Sequence, residues 1–247
     1  MARVEQVLLT DALKLFDYFK HFPQDPVHLI IESEVRQANG MATTFPKNKI
    51  ILYTMPPEAE SNLLASDDWV RTLVLHELTH VIQGDMTSGF PGLMRNIFGG
   101  LFKWNLFTPR WFSEGSAVWA ETAFTAGGRN RYVMNNLQLD RYLLQPGSCD
   151  NISCLDDAPT PPYQGLSYYL GGKFMEYLEN KRPGTVRCLM KDNSANVPFF
   201  LYLSFRGCLN QEIEDSFLEF IASYRLDLIK KQKNFAYLPW SKQAERL

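Results

Sequence analysis

Apolar residues at Val4, Val7, Leu8, Leu13, Phe16 and Phe19 recur at helical spacing and predict a helix at the N-terminus. The pattern then changes to short, β-branched runs bounded by Pro, Asn and Gly. VHLIIES (27–33) and NKIILYT (48–54) predict two strands, and NGMATT (39–44) a short edge strand between them. After Pro56 and Pro57 the helical period returns over 67–83. Ser66 is the expected N-cap, with Asp67 and Asp68 in the first turn, where the helix dipole favours anions. Gly84 is the expected stop. Further helices are predicted over 111–126, 165–181 and 211–231. A small N-terminal mixed sheet followed by a mostly helical lobe makes the expected fold class α+β. One domain is expected over 1–247: helix and small sheet to 66, two helices joined by an apolar insertion over 67–126, and a helical lobe from 127.

The helix over 67–83 carries a chemical signal, LVLHELTHVIQG (73–84). Two of the chain's four histidines, His76 and His80, stand about 40° apart on a helical wheel, so both imidazoles leave one face one turn apart. Glu77 lies beside that face. Val70, Val74, Leu75, Leu78, Val81 and Ile82 surround it with apolar side chains, so this helix is expected to be buried. Buried imidazoles and a carboxylate need partners, and a zinc ion supplies one to all at once. One zinc per chain is the expected cofactor. A catalytic zinc site takes three protein ligands and leaves a position open, so a third ligand has to come from elsewhere. Position 86 is Met, which excludes a third histidine six residues past His80.

Composition narrows the function classes. Hydrophobic residues make up 45% of the chain, enough for a sizeable core. A net charge of −2 and the absence of any basic run argue against a nucleic-acid partner. No stretch of about 20 uncharged apolar residues predicts a transmembrane helix, and Met1 opens onto a charged helical pattern rather than a signal peptide. The four cysteines fall into two local pairs, Cys149 with Cys154 and Cys188 with Cys208. They permit two disulfides and an exported protein, or four reduced thiols. A cytoplasmic protein and an excised domain of a longer exported or cell-envelope chain are both compatible with this.

His76-Glu77-x-x-His80 followed by WFSEGSA (111–117) resembles the gluzincin metallopeptidases, most closely their peptidase-MA-like branch, related to the aminopeptidase-N-like enzymes. The likeness spans roughly 27–180. It implies a zincin-like fold with the active-site helix at the junction of sheet and helical lobe. It implies Glu114 as third metal ligand, with His76 and His80, and Glu77 as general base toward a water at the open position. Glu121, seven residues past Glu114, matches a carboxylate that hydrogen-bonds a ligating histidine. YYLGGKFMEYLE (168–179) resembles a segment whose first tyrosine stabilises the oxyanion; that maps to Tyr168, with Tyr169 an adjacent alternative. The implied activity is a zinc-dependent hydrolase, a protease acting on peptide or protein substrates.

The chain departs from that pattern twice. In the aminopeptidases a Gly-x-Met-Glu-Asn strand grips the substrate's free amine. Here Asn39-Gly40-Met41-Ala42-Thr43 stands instead, without the glutamate. Gly40, Met41 and Ala42 are expected to offer backbone to an extended peptide, and an endopeptidase is favoured over an aminopeptidase. A catalytically weak zinc domain serving as a binding module is the remaining alternative, and the intact Glu77 argues against it. The second departure is a long segment between His80 and Glu114. GFPGLMRNIFGGLFKWNLFTP (89–109) is strongly apolar, with only Arg95 and Lys103 charged. It is expected to form a buried helical hairpin or lid, or else to contact a membrane surface or hydrophobic partner.

Overall fold

A computed structural model describes residues 2–33, 38–57, 68–101, 103–156, 165–196 and 199–236. Two short helices, α1 (Ala2–Thr10) and α2 (Ala12–Phe19), replace the single N-terminal helix of the sequence reading. The break falls at Asp11, whose carboxylate accepts hydrogen bonds from Lys14 (2.9 Å) and Arg71 (2.8 Å). Leu13, counted with the apolar face, is 56% exposed.

Three strands follow: β1 (His28–Glu32), β2 (Ala38–Thr43) and β3 (Lys49–Thr54). The spatial order is β1-β3-β2, with β3 parallel to β1 and antiparallel to β2. The sheet is therefore mixed, and β2 is an edge strand with Gly40, Met41 and Ala42 opposite Leu52, Ile51 and Ile50.

The central helix α3 (Trp69–Asp85) is buried at most of its positions, as the wheel required, and packs against β2 and β3. Asp68 caps it, its side chain accepting from the backbone N–H of Arg71 at 3.1 Å. The expected cap Ser66, and Asp67, lie outside the described residues. Gly84 does not end the helix. The chain turns out one residue later through extended backbone at Met86. Gly84 has a packing reason instead: a Cβ there would stand 2.6 Å from the Thr44 hydroxyl.

Helix α5 (Arg110–Ala123) crosses α3 and packs closely on α7 (Leu166–Lys181). Glycines permit that approach. A Cβ on Gly115 would lie 2.6 Å from the Gly171 carbonyl carbon, so the two backbones touch where any side chain would hold them apart. Beyond them α6 (Val133–Leu143), α8 (Thr185–Asn193), α9 (Leu201–Leu209) and α10 (Ile213–Ala236) complete a helical lobe. Helices α6, α8 and α9 were not expected. Their apolar faces are short, with only three to five buried residues each. The lobe's centre is aromatic: Trp111, Phe174, Phe205, Phe217 and Phe220 pack ring on ring. Cys149 is joined to Cys154 and Cys188 to Cys208 by disulfides, the second tying α8 to α9.

The segment between α3 and α5 corrects an expectation. It is not a buried hairpin. It contains one helix, α4 (Gly89–Phe98), then two short 3-10 turns over Gly99–Leu101 and Trp104–Phe107. Its only two cations turn inward. Arg95 bonds Asp85 and Asp25, each at 2.8 Å, and also donates to the Asp85 carbonyl. Lys103 donates to the Thr44 carbonyl at 2.7 Å and to Asn48 at 2.8 Å. Asp85 also accepts from the Gln24 N–H at 2.8 Å and Asn48 at 3.1 Å, and it meets His21 at 3.1 Å. With the cations anchored inside, Phe90, Leu93, Ile97 and Phe98 of α4 face out.

Burial alone would raise the pKa of Asp85. Hydrogen bonds from His21, Arg95, the Gln24 backbone and Asn48 reverse this and hold it well below the usual carboxylate range. A depressed folded pKa adds stability above the unfolded value of about 3.9, and that stability is lost as pH falls below it. Asp85→Asn is expected to cost about 3 kcal/mol at neutral pH, because Arg95 and Lys103 then lose a buried counter-charge. Urea titrations should show the gap between wild type and variant closing below about pH 4. A gap independent of pH would mean that the Asp85 charge does not hold the segment.

Candidate metal centre

His76 and His80 project from α3 toward Glu114 at the start of α5. Their Nε2 atoms are 3.1 Å apart, and each lies 3.3 Å from Oε2 of Glu114. Among the described residues these are the one group of histidine, cysteine or carboxylate side chains placed to share an ion.

The triangle has the dimensions of a metal site. A tetrahedron with bonds of about 2.0–2.1 Å has edges of about 3.3 Å, so three ligands of zinc would stand as these atoms do. Oε2 of Glu114 is buried without a hydrogen bond of acceptable geometry. Three electron-rich atoms converge on a point where positive charge would satisfy them all. The electrostatics agree. Burial and Arg129 both disfavour a charged His76, yet Glu114 and Glu121 outweigh them and its pKa is raised. Burial likewise opposes ionisation of Glu114, but the two imidazoles pull its pKa far down.

The second nitrogen of each imidazole is also held. Nδ1 of His76 is 2.9 Å from Oε2 of Glu121, and Nδ1 of His80 is 3.1 Å from the Ser113 hydroxyl. Glu121 is fully buried, and burial would raise its pKa; Arg129 and His76 bring it down to about 2 instead. It is therefore an acceptor for Nδ1–H, which leaves Nε2 with its lone pair toward Glu114. Arg129 grips the same carboxylate, its Nη2 2.7 Å from Oε2 and its backbone N–H 2.8 Å from Oε1. Arg129 Nη2 also comes within 2.8 Å of His76 Nδ1. Two donors there converge on one carboxylate oxygen, which is the better acceptor of the two.

A cleft of about 610 Å³ opens over these residues. Strand β2 and Thr44, Leu73 and Glu77 of α3, and Arg110, Arg129 and Tyr168 are among the residues that line it. Glu77 is buried and lies against the edge strand: a Cβ on Gly40 would meet its side chain at 2.7 Å. Glycine at 40 is what leaves this carboxylate room. Of the two adjacent tyrosines, Tyr168 lines the cleft, while Tyr169 packs against Gly165. The Tyr168 ring stacks on His76 at 6.3 Å, and its hydroxyl accepts from Arg110 at 3.4 Å. Burial and the Glu114 charge raise its pKa, so it is a neutral phenol at pH 7.

Sequence reading missed Arg129 and Ser113 as parts of the site. Ser113 adjoins Glu114, and that adjacency was the available signal. Arg129 had none: it follows the glycine pair Gly127-Gly128 and opens a 3-10 turn, Arg129–Arg131, too short to show a period. No protein-family model, curated protein or solved structure matches the chain.

Proposed function

We propose that the chain is a zinc-dependent metallopeptidase of gluzincin type, acting as an endopeptidase, with a zincin-like fold whose active-site helix is α3. The observation that carries this reading is the His76-His80-Glu114 triangle at tetrahedral spacing, open to a cleft that also holds Glu77. His76, His80 and Glu114 would hold the ion. Zinc supplies Lewis acidity when bound, acidifying water and polarising a carbonyl. The other roles belong to the chain. Glu77 takes the proton of the attacking water and delivers it to the leaving amine. Tyr168 donates its hydroxyl hydrogen to the oxyanion that develops on the substrate carbonyl. Glu121, itself gripped by Arg129, keeps the His76 ring in orientation. The free edge of β2 pairs with the backbone of an extended peptide.

The preference for internal bonds has its own support. Among the described residues, Glu77 and Glu114 are the only carboxylates lining the cleft, and both already have roles. None remains to pair with a free amino terminus, whereas Arg110 adds positive charge.

The experiment is metal analysis by mass spectrometry, run beside cleavage of an unfolded protein and of blocked and free-amine peptides, with and without chelator. One zinc per chain and chelator-sensitive cleavage of blocked peptides are expected. Cleavage that survives metal removal would sink the proposal; cleavage confined to free-amine peptides would make the enzyme an aminopeptidase.

A further inference from the structure

Helix α4 is amphipathic in the reverse of the usual sense. Its charged side chain, Arg95, is buried against Asp85, while four of its apolar side chains lie outside. Leu93 is 54% exposed and Ile97 61%, with Phe90 and Phe98 exposed beside them. The positions 90, 93, 97 and 98 follow a helical stripe. Phe107, further along the same segment, is 53% exposed, and its ring lies 5.7 Å from that of Phe199, itself 77% exposed. Leu106, next to Phe107 and 44% exposed, lines the cleft, so exposed apolar residues of this segment reach the cleft itself.

Charge sorts the occupants. Residues 86–113 contain no carboxylate; of their three cations, Arg95 and Lys103 are turned inward and Arg110 is exposed at the cleft. Exposed cations flank it. Lys47 follows Pro46, whose carbonyl lies beside Gly100, and Lys191 carries the carbonyl that accepts from the Ser88 hydroxyl. An apolar face of this make-up offers a protein partner few groups for hydrogen bonds, which a specific protein interface needs about every 100–200 Å². A lipid surface needs none from that face, and anionic headgroups complement lysines at its margin. Among the described residues no helix is long and apolar enough to cross a membrane, so the contact would lie in the interface.

We infer that the outward face of α4, together with Phe107 and Phe199, seats on an anionic lipid surface and places the mouth of the cleft beside it. This stands apart from the peptidase reading, since it depends neither on metal nor on turnover.

Co-sedimentation of the purified protein with vesicles tests it, using phosphatidylcholine alone and phosphatidylcholine mixed with phosphatidylglycerol. The wild type is expected to pellet with the mixed vesicles and more weakly with phosphatidylcholine. Leu93→Glu with Ile97→Glu should weaken binding at least about tenfold, since two apolar side chains no longer enter the lipid. Both positions are exposed, and an unchanged thermal transition and metal content would show the fold intact. Phe107→Glu gives the same loss from a separate segment. Lys47→Glu with Lys191→Glu should lower binding to the mixed vesicles and spare binding to phosphatidylcholine. A wild type left in the supernatant with both vesicles would overturn the inference, as would full binding by the Leu93, Ile97 double variant. Equal binding to the two compositions would overturn its anionic part. A wild-type dimer that this double variant dissolves, with no vesicle binding, would assign the surface to a second copy of the chain.

Discussion

Glu77→Gln is expected to keep the metal and to lower peptide cleavage by about 10²–10⁴-fold, the usual contribution of a positioned general base. The geometry separates the two properties. Glu77 stands one residue past His76, so the helix turns it about 100° from that ligand and beside the donor triangle. It lines the cleft, is buried against Gly40, and is not among the three converging donors. Gln keeps the shape and the hydrogen-bonding reach but cannot accept a proton at neutral pH. The measurement is kcat/KM on a blocked, quenched-fluorescence peptide, with zinc counted on the same sample. Wild-type turnover in a zinc-loaded Glu77→Gln protein would refute the mechanism. Loss of zinc would instead make Glu77 part of the metal shell.

Glu114→Ala and Glu121→Ala should differ in kind. Glu114 contributes a corner of the triangle, and its removal leaves two imidazoles, too few for a stable site. Near-complete loss of zinc is expected. Glu121 touches His76 on the far nitrogen and should cost about 10–100-fold in metal affinity, the ordinary effect of losing a ligand's partner. Its loss also strands the buried Arg129, so the variant should unfold at lower temperature as well. Competition with a chromophoric chelator reads the affinities. If Glu121→Ala releases zinc and Glu114→Ala does not, the two assignments exchange places.

Much of the site could be read from order along the chain, because it rests on helical periodicity. The four-residue spacing puts His76 and His80 on one face whatever surrounds them, and the apolar stripe of α3 required that face to be buried. The three strands were likewise visible as short runs between turn residues, though their order, with β3 between β1 and β2, was not. The helices α6, α8 and α9 escaped because each buries only a few residues, and partners distant in sequence decide which ones.

What only the tertiary structure decided are the contacts across gaps in the chain. Glu114 reaches the histidines because α5 is held by its crossing with α7, and the crossing depends on two glycines, 115 and 171, that no local pattern pairs. Arg129 meets Glu121 from a 3-10 turn too short to show a period. The apolar segment 89–109 read as something to bury, by the rule that apolar faces turn inward. The rule failed because Asp85 and Asn48 wait inside for Arg95 and Lys103. A buried carboxylate is costly without a counter-charge. Satisfying it fixed the rotation of α4 and left four apolar side chains of that helix facing outward.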